Sequence, residues 1–518
     1  MEYKIVDSCQ WTYPDVFDYP CTYERFEAKA LRGSYATFRI VFRDIGSYIK
    51  MRLSGAAGTL YEEIAIPVES NPNFEEGFKP HFPERIAPFS VYDCMKPYTQ
   101  GDELTPKNQV TSVYVAIEVS HDEEDVIDGV LLIDYENGAV SIPISVTPMG
   151  KPVNESLKIA MGYSVHDIIR MHDLDPRTPE FQEIHTKYLK MMRHQHQNVM
   201  FLPNPWIWKD EDGKWQFRFE RFNQLIKNAI ELGFTSFMIN GVGFRKAWDR
   251  PEIIVQGMDC LSYEAFIFIS QYLTALRNNL KENGWLKSGM FCIGVADEPN
   301  ENDAITYRAL SGMVRKYLPE IKIYDAVSYV EVYGAIDVWV PRVDEYYKNK
   351  EKFDQFKEAG DELWHYVCLY PRDGGFVNRF MDIPLLSTRY IYWTNYLYSL
   401  TGYLHWSINM YQGDLDPYKA SCPEHINAGS KSILPAGDDK LVYPGNNEPY
   451  MSARLEAHRE SAEEYEMLKI ISEEDKELAD EICKMCCRSY IDVDYEPEKF
   501  VAARNRLITE YNRITMNH

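Results

Sequence analysis

The hydrophobic pattern changes rhythm once along the chain. From residue 1 to about 153, short runs alternate apolar and polar positions and are broken by turn residues, as in 35–42, 110–119 and 129–134. Side chains two apart on an extended chain share a face, so this period predicts strands, and with no helix-length stretch among them it predicts an antiparallel β-sandwich. Pro148, Gly150 and Pro152 mark the linker that follows. Beyond it, strand-length apolar runs alternate with amphipathic segments of helical length. Strands are expected near 158–164, 198–203, 236–240, 290–296, 321–327, 338–343, 364–370 and 402–409. Helices are expected near 180–194, 219–232, 262–283, 304–317, 350–359 and 384–400, and only the fifth connection is poorly marked. Eight strands with crossing helices predict an α/β fold, a (β/α)8 TIM barrel. From about residue 451 the pattern is helical, with charged positions between Leu and Tyr. The chain therefore divides into a sandwich over 1–153, a barrel over 154–450 and a C-terminal helical appendage over 451–518.

Composition narrows the partners. Lys and Arg number 55 against 79 Asp and Glu, a formal charge of -24 over 518 residues. Such a surface repels phosphate backbones and carries no basic stripe, which argues against nucleic-acid binding. No basic leader precedes an apolar run and no segment is long and apolar enough to span a bilayer, so a soluble, cytoplasmic chain without a membrane partner is expected. The ten cysteines have no disulfide-scaffold spacing, and Cys292 and Cys368 lie inside apolar runs, which fits reduced, buried thiols. Cys483, Cys486 and Cys487 form one C-x-x-C without a second pair and read as a helix face. His194 and His196 have ligand-like spacing, but they fall at a predicted helix end with no carboxylate beside them in sequence. No phosphate-cradling glycine loop, nucleophile elbow or dinucleotide fingerprint is present, so neither a metal nor a cofactor is expected.

The candidate chemistry lies where the apolar run starting at Met290 stops, at Asp297, Glu298 and Pro299. Proline cannot continue a central strand, so the two carboxylates close predicted strand four, on the barrel edge where catalytic side chains gather. An acidic residue before proline also caps a helix, and that reading competes. Carboxylates at such an edge suit cleavage of a glycosidic bond, in which one protonates the leaving oxygen and something else supports an oxocarbenium-like centre. Glu298, with its longer reach and its place after an apolar run, is the better acid. A direct nucleophile would be expected at the end of strand seven, yet that run ends in Tyr370, and Asp373 is the nearest acid. Adjacent residues cannot easily straddle a sugar ring as nucleophile and acid. A substrate 2-acetamido group can supply the nucleophile instead, with Asp297 orienting it.

The Asp297-Glu298-Pro299 stretch, the segment from Trp364 through Asn378, Asp382 and Arg389, the strand from Gly402 to Asn409, and the ending from Asp439 to Gly445 with 452–456 together resemble glycoside hydrolase family 123. The resemblance covers roughly 155–475 and implies cleavage of β-linked N-acetylgalactosamine by the substrate-assisted route. Carried over, Asp297 orients the acetamido group and Glu298 is the acid/base. The implied partner is a glycan or short oligosaccharide.

Further substrate-binding candidates come from strand ends. Trp406 is expected as a stacking floor or else a core tryptophan, and Tyr366 and Tyr370 as pocket residues or merely half-buried ones. Asn240 and Asn409 are hydroxyl readers or turn formers, and Asn378 matches the family segment. The Gly-, Pro- and Asp-rich loop 412–447 follows strand eight and is expected as a lid or rim. Two other readings stand beside the leading one. One is a retaining glycosidase on another sugar with Asp373, Asp344 or Glu345 as nucleophile; the other is a non-catalytic carbohydrate-binding relative.

Overall fold

The computed structural model describes residues 1–72, 74, 85–247, 252–372, 375–427 and 429–516. Its barrel strands are Lys158–Met161, Val199–Leu202, Ser236–Ile239, Phe291–Ile293, Lys322–Ala326, Val338–Val340, Glu362–Tyr366 and Gly402–His405. Each pairs in parallel with the next, and the eighth pairs back with the first, Leu404 opposite Ala160, which closes the barrel. The period of two sorts the side chains. Ala160, Met238, Tyr324, Tyr366 and Leu404 fill the interior, while Ile159, Phe237, Ile239, Ile323 and Tyr403 pack outward against the helices. The fifth connection holds only the short turn Val330–Val332, which explains its weak signal.

Some strands stop sooner than their apolar runs. The fourth ends at Ile293 although the run continues to Ala296, because the next backbone donors turn to a side chain. Val295 and Ala296 donate to the Asp325 carboxylate at 3.0 and 3.3 Å. The run is apolar because the turn is buried, and hydropathy alone cannot distinguish a buried turn from a buried strand.

The amino-terminal region forms two packed sheets. The smaller contains Phe26–Leu31, Gly138–Met149, Ile127–Tyr135 and Ile49–Ser54, with the first two strands parallel and the rest antiparallel. The larger is antiparallel, and Pro449–Ser452 and Val442–Pro444, from beyond the barrel, complete it. On strand Ser34–Arg43, Ala36, Phe38, Ile40 and Phe42 face the core between the sheets. Thr37 and Arg39 point the other way, yet are buried as well.

What covers that second face is the helix Ala453–Glu474, in which every residue through Leu468 is buried. This segment was expected as an appendage, but it is an interior element. Helix Leu385–Tyr398 packs along it, and the two share a charge network with the sheet. Arg389 meets Glu464 at 2.6 Å and also pairs with Glu460, and Arg459 meets Glu456 and Glu463, each at 2.8 Å. Ser34 and Thr37 donate to Glu463 and Glu460 at 2.7 and 2.6 Å. His194 pairs with Glu456, while His196 bridges Glu155 at 2.9 Å and Glu463 at 3.3 Å. The carboxylates that seemed missing beside these histidines arrive from distant parts of the chain.

Candidate active site

Past Ile293 the chain passes Gly294, Val295 and Ala296 before the two carboxylates. Gly294 is required by crowding, since a Cβ there would lie 3.1 Å from the Gly241 nitrogen at the end of strand three. Glu298 has φ of 47°, the left-handed region that non-glycine residues avoid. Its N–H donates to the Ala326 carbonyl at 3.0 Å, so the turn is stitched to strand five. Turning there sends two successive side chains in different directions. The Tyr366 hydroxyl, from strand seven, donates to Glu298 Oε1.

A two-lobed cavity opens at this end of the barrel. The larger lobe, about 920 Å³, is lined by Tyr163, Phe201, Asn204, Asn240, Phe244 and Tyr324 among others. The smaller, about 600 Å³, is lined by Glu298, Arg342, Tyr366, Tyr370 and the hairpin that carries His425, Asn427, Ser430 and Ser432. Asp297, Ala326, Leu404, Trp406 and Met410 border both and form the partition. Asp297 therefore stands between the two lobes, while Glu298 borders the smaller one.

Trp406 is held from behind. Its indole N–H donates to Asp438 at 3.0 Å, and the other Asp438 oxygen lies 3.1 Å from His405 Nε2. The Ser407 N–H donates to His405 Nδ1 at 3.0 Å, so Nε2 carries the hydrogen that reaches Asp438. The His425 ring lies 5.3 Å from that of Trp406. The loop after strand eight therefore does form a rim: its hairpin Glu424–Asn427 and Ser430–Ile433 walls the smaller lobe, and Asp438 anchors the partition.

Asp297, Glu298, Trp406, Tyr366, Tyr370 and Asn240 are thus brought to one cavity. Asn409 and Asn378 are not. Asn409 exchanges hydrogen bonds with the Ser164 backbone at 2.8 and 3.1 Å, and Asn378 donates to the Cys368 carbonyl at 3.2 Å and accepts from the Arg379 N–H at 2.8 Å. Both amides are buried and occupied, so they brace the rim and do not read hydroxyls. Asp344 forms a two-pronged pair with Arg342 at 2.5 and 2.8 Å, Glu345 lies 3.8 Å from the same guanidinium, and neither borders either lobe. Asp373 lies outside the described residues.

Sequence reasoning missed Arg342, Asp325 and His425. Asp325 is the penultimate residue of strand five and Arg342 follows strand six, so barrel position was the available signal. Asp325 also accepts from the Tyr307 hydroxyl, which leaves its carboxylate committed to the turn. Among the described residues no group of His, Cys, Asp or Glu is arranged to hold a metal ion.

The position of Asp297 sets its charge. Depth within the barrel mouth raises its pKa, the Glu298 carboxylate beside it raises it further, and Arg245 pulls the other way. Its side chain faces the open cavity, and water there softens the burial effect. Burial and the Glu298 charge also keep the Tyr366 phenol protonated, as a donor to Glu298 must be.

A family model described as glycoside hydrolase 123, catalytic domain, matches residues 163–471, more than half of the chain. The chain belongs to glycoside hydrolase family 123. As a family 123 enzyme it hydrolyses glycosidic bonds, and the matched segment runs from the end of barrel strand one into the interior helix. A family 123 glycoside hydrolase from Clostridium perfringens, analysed for the details of glycolipid glycan hydrolysis, superimposes with a TM-score of 0.76. The identity is 14%, with 100% of this chain and 98% of that chain covered, so that likeness shows the fold. An endo-β-1,4-mannanase from Thermotoga petrophila aligns at 13% identity over 60% of this chain and 77% of its own, with a TM-score of 0.36. A family 10 xylanase from termite gut aligns at 11% over 86% and 100%, with a TM-score of 0.35. No curated protein matches the chain.

Proposed function

We propose that this family 123 enzyme removes terminal β-linked N-acetylgalactosamine, or a closely related N-acetylhexosamine, with retention through an oxazoline-type intermediate. The observation that carries the reading is the cavity's inventory of carboxylates. Among the described residues lining both lobes they are Asp297, Glu298 and Asp325, and Asp325 is spent on Val295, Ala296 and Tyr307. The adjacent pair lacks a described partner placed as a direct nucleophile, and the substrate's acetamido oxygen fills that part.

In this scheme the acetamido carbonyl oxygen bonds to the anomeric carbon as the bond to the leaving oxygen breaks. Glu298 supplies the proton. Its Oε1 accepts from Tyr366, so the mobile proton belongs on Oε2. Asp297, ionised, accepts from the acetamido N–H and stabilises the charge that develops there. Glu298 then takes a proton from water, which opens the oxazoline and restores the acetamido sugar. Trp406 offers its ring to the apolar face of a sugar on the partition.

The test compares nitrophenyl β-N-acetylgalactosaminide, β-N-acetylglucosaminide and β-galactoside as substrates of wild type, Asp297→Ala and Glu298→Gln. Cleavage of acetamido sugars alone, lost in both variants and not restored to Asp297→Ala by azide, supports the scheme. Cleavage of the β-galactoside, or an active Asp297→Ala, removes the orienting role and moves attention to Asp373. Glycolipid glycans are the natural substrates to try next, given what the Clostridium perfringens relative was analysed for.

A further inference from the structure

Arg245 lies behind the catalytic turn, outside both lobes. It belongs to the short strand Phe244–Arg245, which pairs with Ile253–Val255 after barrel strand three. Strand alternation sends Phe244 into the larger lobe and Arg245 beneath the turn. There its Nη2 meets Asp303 at 2.9 Å, with both side chains almost wholly buried. The same nitrogen donates to the Glu298 carbonyl and lies 3.4 Å from the Asp297 carbonyl. Asp303 also accepts from the Asn300 N–H at 2.8 Å, at the start of helix Ala304–Tyr317.

These contacts account for the unusual backbone of Glu298. Its N–H is fixed by Ala326 and its C=O by Arg245, so the peptides on both sides of the residue are held while φ sits at 47°. A left-handed non-glycine residue persists only where its surroundings over-determine it. Released, the turn relaxes toward ordinary dihedrals and carries the Glu298 carboxylate away from Tyr366.

We infer that Arg245, fixed by Asp303, is a positioning residue that holds the Asp297 and Glu298 backbone so that the two carboxylates diverge, one toward the partition and one toward Tyr366. It touches no substrate. The inference rests on reading Asp297 and Glu298 as the reacting pair. A second effect accompanies the first. The Arg245 charge offsets the burial and the Glu298 charge that raise the Asp297 pKa, with Tyr324 and Asp325 facing Asp297 from strand five.

The experiment uses the full chain with Arg245→Met, Arg245→Lys and Asp303→Asn. On nitrophenyl β-N-acetylgalactosaminide, Arg245→Met is expected to lower kcat on the order of a hundredfold, the scale of a misaimed catalytic group, with little change in KM. The acid limb of its pH profile should move upward, and a carbon-13 titration of the Asp297 carboxyl should move the same way. Arg245→Lys restores the position of the limb without restoring the rate, because an ammonium on a flexible stem supplies the charge but not the rigid, planar nitrogen that holds the Glu298 carbonyl. A crystal structure of Arg245→Met should show residue 298 out of the left-handed region. A variant that keeps wild-type kcat, or keeps Glu298 left-handed on Tyr366, overturns the inference. If Arg245→Met does not fold, the same readings on Arg245→Lys and Asp303→Asn decide it. A wild type that cleaves no acetamido sugar overturns the proposed substrate, while the crystal structure and the titration still decide the clamp.

Discussion

Two regions of this molecule gather carboxylates, one in the interior and one at an open cavity, and they treat them in opposite ways. Between the large sheet and helix Ala453–Glu474, each of Glu456, Glu460, Glu463 and Glu464 meets an arginine, and serine, threonine and histidine side chains take further oxygens. At the barrel mouth, Asp297 and Glu298 are neighbours of like charge, and the nearby Arg245 donates to their carbonyls and forms an ion pair with Asp303. Paired buried charge is structural, because removing a partner leaves an uncompensated ion. At Asp297, which opens on the cavity, depth in the barrel mouth and the Glu298 charge raise the proton affinity, and a carboxylate shifted in that way is a store of reactivity.

The comparison breaks most sharply on activity. Asp297→Ala and Glu298→Gln are each expected to lower kcat by about a hundredfold or more, the usual scale for loss of a positioned acid or base. Neither should lower the thermal midpoint, and Glu298→Gln should raise it slightly by removing one of two adjacent charges. Hydrolysis rates and calorimetry on the same samples check both. A large fall in the midpoint would show that the pair belongs with the structural charges after all.

The reverse experiment is Arg459→Met. It strands Glu456 and Glu463 in the interior and should cost about 3–5 kcal/mol, as breaking a buried pair does. Denaturant unfolding measures the loss, and the activity per folded molecule should stay near that of wild type. If activity falls in proportion with no loss of stability, the interface is not merely structural.

How much of this was legible depends on the range of the signal. The eight strands were readable because each is a local apolar run, and Asp297-Glu298 because two charges end one of them. The charge network was not. Arg454, Glu456, Arg459 and Glu463 have the spacing of a solvated helix face, and only partners 262 to 429 residues away make them interior. For a similar reason Asn378 and Asn409 do not read substrate: a family match or a place late in a strand puts a side chain near the barrel mouth, while its direction depends on which backbone groups lie within reach. Tyr366 does reach the cavity, because inward and outward positions alternate along strand seven and the interior position opens on it.

Glu463 and Asp297, one carboxylate from each region, should also titrate in opposite directions. Burial works against the charged forms of Glu463 and His196, but Arg459 and the bond to His196 hold Glu463 down to about 2, and the bonds to Glu155 and Glu463 push His196 up to about 9. The Glu463 contribution is complete above its unfolded value near about 4.3 and is lost as pH falls through 2. The His196 contribution is complete below about 6.5 and is lost as pH rises through 9. Asp297 has the sign opposite to that of Glu463. Its raised pKa makes the ionised form unfavourable in the fold, so as pH falls through that pKa the fold gains stability while the ionised Asp297 that the proposed mechanism needs is lost. Rate and stability measured over the acid range should therefore part, the rate falling first while the protein stays folded. Parallel loss of both would mean that the acid limb reports unfolding.

The smallest expected effect tests whether a well-paired buried charge can still serve the site. Asp438 belongs by its bonds with the structural group, since it is fully buried and accepts from both Trp406 and His405. Burial nevertheless pushes its pKa up to about 6, against the pull of Arg379, so its shift has the direction of that of Asp297, and it differs in being fully buried with its oxygens occupied. Asp438→Asn keeps the shape and one carbonyl oxygen, but its amide N–H2 must face a donor. One of the two hydrogen bonds is lost, at about 1 kcal/mol. If that bond is the one to the Trp406 indole, the ring loosens on the partition and KM should rise about fivefold, the same 1 kcal/mol expressed as binding, with kcat nearly unchanged. If His405 loses its bond instead, stability falls slightly and KM does not move. Measuring KM and the unfolding free energy on one variant separates these outcomes, and a rise in KM would show that the boundary between the two regions runs through Asp438.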